Sequence, residues 1–87
     1  MDVRLDYGGS KICLLEVKPC GQSTVQFAVR EAIGQLLEYR HRHAPKAKLA
    51  VVLGIQPGSE TLSLLKSLTI DAMWKHGHGF EGSFKIA

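Results

Sequence analysis

Hydrophobic and polar positions alternate from the start of the chain. In residues 2–7, Val3 and Leu5 fall on one side and Asp2, Arg4 and Asp6 on the other, the two-residue period of a β-strand. Gly8-Gly9-Ser10 signals a turn. Residues 11–18 read as a second strand, so the two form a β-hairpin. Cys13, Leu15 and Val17 give that second strand one apolar face. Its other face begins with Ile12 and Leu14 and ends with Glu16 and Lys18. A strand apolar on both faces at its start belongs inside a sheet. The two charges at its end then point into a cleft, a ligand or solvent.

Pro19 stops the strand, and the period changes after a short loop. Val25, Ala28, Val29, Ala32, Ile33, Leu36 and Leu37 recur at the spacing of one helical face. Ser23 or Thr24 can cap this helix, and Arg40 and Arg42 suit the dipole of its last turn. Ala44-Pro45 breaks it near Arg42. Residues 48–55 then form a buried strand, and Gln56-Pro57-Gly58 a turn. Ser59 can cap a short helix over Glu60–Leu68 that buries Leu62, Leu65 and Leu68. Thr69–Trp74 is a further strand. Gly77, Gly79 and Gly82 make the following stretch loose, and Phe84–Ala87 suits a short edge strand. The order β-β-α-β-α-β predicts a small mixed β-sheet with helices packed on it, an α/β fold.

Composition narrows the class without naming a function. Eighty-seven residues make a single domain, 1–87. Hydrophobic residues are 45% and charged residues 22% of the chain, which fits a globular domain rather than disorder. The formal charge of +3 permits nucleic-acid binding without demanding it. Two cysteines, Cys13 and Cys20, are too few for a disulfide scaffold and suit free thiols. No apolar run approaches the roughly 18 residues of a membrane span, and no basic segment leads into an apolar stretch as in a signal peptide. The expectation is a cytoplasmic protein with no membrane partner.

The candidate chemistry lies in Asp2 followed, after thirteen residues, by Glu16-Val17-Lys18. An antiparallel hairpin brings the free end of its first strand beside the end of its second. The two carboxylates can therefore converge and offer oxygen ligands to a hard cation such as Mg²⁺ or Mn²⁺. Such a metal lowers the pKa of bound water. A lysine on the same strand face can orient that water or stabilise an anionic transition state. An acid-x-lysine pair at a strand end is also what a solvated strand terminus looks like, and the residues alone leave both readings open. Asp6, on the same face as Asp2, is a fallback acid.

The wider pattern LLEVKP, a loop, and a helix reading VREAIGQLLEYR resembles the PD-(D/E)XK nuclease superfamily. Arg30, Ala32, Gln35, Leu36 and Tyr39 stand in that family's helix spacing. The resemblance spans Asp2 to about Phe80. It implies a restriction-endonuclease-like core, metal-dependent cleavage of DNA phosphodiesters, Asp2 and Glu16 as metal-binding acids, Lys18 as the catalytic lysine and Gln35 as a helix residue bordering the site. The sequence departs from the family's pattern in beginning at the motif acid, with Met1 where the family's proline stands. The expected core therefore lacks the first helix and strand. A second subunit could supply that layer. The open sheet edge of an N-terminal hairpin in so short a domain makes a homo-oligomer the expectation. The alternative is a non-catalytic nuclease-like binding module, or an oligomeric protein, that has lost a complete active site.

Other candidates carry less. His41 and His43, among Arg40, Arg42, Lys46 and Lys48, make either a phosphate-contacting patch or a solvated helix end. His76 and His78 are too few for a zinc site. Trp74 and Phe80 suit a core or an interface as well as base stacking.

Overall fold

The structure, a computed structural model, describes residues 3–6 and 11–83. Strands β1 (Val3–Asp6) and β2 (Ile12–Lys18) pair antiparallel, with Val3 opposite Leu15 and Asp6 opposite Ile12. Helix α1 (Val25–His43) returns the chain to β3 (Lys48–Leu53), which lies parallel to β2. Helix α2 (Ser59–Ser67) returns it to β4 (Ile70–His76), parallel to β3. Strand β5 (Gly79–Gly82) pairs antiparallel with β4. The result is a small mixed α/β domain with one five-stranded sheet in the order β1-β2-β3-β4-β5.

Both helices share one core on one face of the sheet. That core joins Leu14 of β2, Leu49, Val51 and Leu53 of β3, and Ile70, Ala72 and Trp74 of β4 to Val25, Val29, Ala32 and Leu36 of α1 and Leu65 of α2. Burying such side chains is the main favourable term in folding, about 1.5–3 kcal/mol for each large one. The helical stripe read from the sequence is thus the buried stripe of α1, with Ile33 and Leu37 partly buried at its margin. The opposite face carries a smaller cluster of Cys13, Leu15 and Ala50, flanked by Leu5, Val52 and Met73.

The stretch after β4 corrects the expectation of a loose segment. His76 pairs with Gly79 across a two-residue turn. Gly77 takes φ +59° there, as the first position of a type II′ hairpin turn requires. The glycines therefore build a hairpin, giving a fifth strand at 79–82 that the sequence pattern did not predict. The edge strand expected at Phe84–Ala87 and the turn at Gly8-Gly9-Ser10 lie outside the described residues. Ser59 also differs from expectation: Gly58 is the N-cap of α2, and Ser59 is its first residue. No helix among the described residues is long and apolar enough to cross a membrane.

Candidate active site

The parity of β2 decides the site. Glu16 and Lys18 point to the helix-covered face because Leu14, two residues earlier, lies in that core. Val17 points to the other face. Glu16 pairs in register with Val51, and Lys18 with Leu53, the last residue of β3. The two charged residues therefore stand at the C-terminal end of an internal strand, beneath α1. Glu16 is only 2% exposed, and it alone is both charged and buried among the described residues. Burying a carboxylate costs several kcal/mol unless it is paired, on the order of what a charge partner returns.

Lys18 is a charge partner of Glu16. Its Nζ lies 3.4 Å from Glu16 Oε2. It lies closer, 2.6 Å, to Glu31 Oε1 on α1 and donates a hydrogen bond to it. The Lys18 ammonium is thus shared between a buried carboxylate on the sheet and a half-exposed one on the helix. The hydrogen bond to Glu31 raises the Lys18 pKa above the ordinary lysine value; burial opposes this, and Glu16 reinforces it. The ammonium stays charged across the physiological range.

The loops around the strand ends are tied together. Gly54 donates its N–H to the Lys18 carbonyl at 3.3 Å. A Cβ on Gly54 would stand 2.5 Å from the Cys20 carbonyl oxygen, so only glycine fits this close approach of the two loops. Beyond them lies a polar cavity of about 470 Å³, lined by Gln22, Ser23, Gln26, Gln56 and Gly58 among others. It adjoins the N-termini of both helices, whose first-turn N–H groups favour negative charge. No acidic residue occupies the first turn of α1. Thr24, the N-cap of α1, does not cap it with its side chain. Its hydroxyl bonds back to Gly21 instead.

The other sequence candidates separate. Asp2 lies outside the described residues; it precedes Val3, whose partner Leu15 neighbours Glu16. Asp6 pairs with Ile12, four strand residues from Glu16, or about 13 Å. The fallback acid is thus at the wrong end of the hairpin, where it pairs with Arg4 at 3.6 Å. Gln35 is exposed on α1, one helical turn beyond Glu31. The side chain that reaches Lys18 is Glu31, which the sequence reading missed. Glu31 lies one turn before Gln35 on the helix, but its contact with Lys18 spans thirteen residues.

Arg40, His41, Arg42 and His43 occupy the last turn of α1, far from the strand ends that carry Lys18. Arg42 reaches Glu38 at 3.9 Å, and the rings of Tyr39 and His43 stand 4.7 Å apart. His76 faces Glu81 across the β4–β5 hairpin at 3.5 Å. Among the described residues no group of three or more His, Cys, Asp or Glu side chains is gathered around a possible metal position. No protein-family model matches the chain, and no curated protein or solved structure matches it.

Proposed function

We propose that the chain is a metal-dependent phosphodiesterase acting on DNA, on a restriction-endonuclease-like core. The observation that carries this reading is the buried Glu16 carboxylate with Lys18 beside it, at the end of an internal strand. A solvated strand end would leave both charges in water. Here the acid is almost wholly covered, and a buried carboxylate calls for a positive partner.

The donor set fits Mg²⁺ or Mn²⁺ in kind. Carboxylate oxygens suit hard cations, and Mg²⁺ keeps several waters while using one or two protein carboxylates. Glu16 supplies one, and Asp2, which precedes Val3 in the sequence, is the proposed second. When bound, such a cation supplies an activated water and charge stabilisation at a phosphoryl oxygen. The chain's own residues do the rest. Lys18 places a fixed positive charge at the mouth of the site, where it can steady an anionic phosphoryl oxygen or orient water. The N-terminus of α1, which has no acid in its first turn, favours a phosphate at the neighbouring polar cavity, whereas that of α2 already carries Glu60. Gln35, exposed on α1, is proposed to border the bound substrate. The expected homo-oligomer belongs to the same proposal: β1 is an edge strand, and open edges invite pairing.

Calorimetric titration of Mn²⁺ and Mg²⁺, with DNA nicking on the same samples, tests the reading. Wild type should bind metal and nick. Glu16→Ala should lose both while keeping its circular dichroism spectrum. Lys18→Ala should lose nicking. Absence of metal binding and nicking in wild type would defeat the proposal. The second reading, a non-catalytic nuclease-like binding module, draws on the basic last turn of α1, Arg40 to His43. It predicts salt-dependent DNA binding indifferent to Mg²⁺.

A further inference from the structure

We infer that Glu31 is a positioning residue: it draws the Lys18 ammonium off Glu16 and so keeps a divalent cation able to compete for the Glu16 carboxylate. The inference rests on the metal-dependent reading above, and it names the residue that regulates that site.

The geometry is unequal. Lys18 Nζ is 2.6 Å from Glu31 Oε1 but 3.4 Å from Glu16 Oε2. The shorter contact is at hydrogen-bond length, and the longer lies beyond the usual range for a charged N–H···O bond. Lys18 is only 17% exposed at its side chain, so its ammonium has few places to go. Without Glu31 the nearest carboxylate is Glu16. An ammonium closing onto Glu16 would compete with a cation for the same carboxylate.

Glu31 is well placed to prevent this. It sits between Val29 and Ala32 of the buried stripe, which fix the rotation of α1 over β2. An exposed ion pair on a helix contributes little to stability. This pair differs because one of its members also faces a buried acid. Side chains that orient a metal site from outside it typically change metal affinity by roughly ten- to hundredfold when removed.

Two substitutions separate this role from others. Glutamine keeps the length of Glu31 and its acceptor oxygen, so Glu31→Gln can still hold Lys18. Alanine cannot. Mn²⁺ affinity is read by calorimetry, with thermal melts confirming that each variant folds; Glu31 is 44% exposed at its side chain, and both replacements are good helix formers. The expected result is an affinity within about threefold of wild type for Glu31→Gln and a loss of roughly ten- to hundredfold for Glu31→Ala. Equal large losses in both variants would overturn the inference and make Glu31 a ligand. Wild-type affinity in both would overturn it and leave Glu31 a surface ion pair. Binding in wild type with either of those patterns defeats the inference alone. No binding in wild type defeats the metal-dependent reading and the inference with it.

Discussion

Cys13 illustrates how one buried side chain couples to pH. It is 1% exposed on the sheet face away from the helices. Burial pushes its thiol pKa above the ordinary value; Lys48 opposes this and Asp71 adds to it. In the unfolded chain a thiol ionises near about pH 8.5. The neutral thiol therefore favours the folded state fully below that pH, and the contribution fades as pH rises through the folded pKa. The stability of wild type should fall above about pH 8.5 more steeply than that of Cys13→Ala. Urea denaturation between neutral and alkaline pH measures the difference. Cys13→Ala should cost about 1 kcal/mol at neutral pH through lost packing. Parallel slopes would mean the thiol is accessible to water. At the same scale, Glu31 was written in the sequence but not legible there. Its contact with Lys18 spans thirteen residues, and no local period encodes it.

At the scale of elements, two glycines should respond oppositely. Gly34 lies inside α1, and a Cβ there would meet nothing within 4 Å. Glycine inside a helix costs about 1 kcal/mol relative to alanine. Gly34→Ala should raise the melting temperature by several degrees, since about 1 kcal/mol shifts a domain of this size by roughly 4–8 °C. Gly54→Ala should lower it, because the added Cβ would press on the Cys20 carbonyl. The expected cost is about 2 kcal/mol or more, and differential scanning calorimetry reads both. Under the proposed metal-dependent reading, Mn²⁺ affinity should also fall in Gly54→Ala, since Gly54 ties the β3 end to Lys18. The elements were largely legible in the sequence. The 3.6-residue stripe of α1 and the alternation in β1 and β2 each depend on neighbours in the chain. The β4–β5 hairpin was not, because glycine spacing alone does not distinguish a tight turn from a loose loop.

For the whole molecule, charge is spread unevenly. Glu31 and Arg40 are nine residues apart on α1, or about 14 Å along the axis. The basic last turn therefore stands apart from the acid–lysine site. If DNA runs along the helix, that turn meets phosphates away from the scissile one. Arg40→Ala combined with Arg42→Ala should weaken DNA binding and reduce the salt dependence of log K by up to about 2 in slope. It should leave Mn²⁺ affinity unchanged. Fluorescence anisotropy across a salt series, with calorimetry for the metal, checks both halves. An unchanged slope would make the basic turn a solvated helix end.

The sequence by itself determined the element types from β1 to β4, the buried stripe of α1 and the placing of Glu16 and Lys18 on one strand face. These follow from periods of two and 3.6 residues, which act between near neighbours. Only the tertiary structure decided that both helices cover the same face of the sheet, and that β3 is the second neighbour of β2. The same packing covers Glu16 and brings Glu31 to Lys18. Those outcomes depend on register and on the rotation of α1 about its axis. Both are set by how apolar side chains from distant parts of the chain fill one core, and no local pattern specifies them.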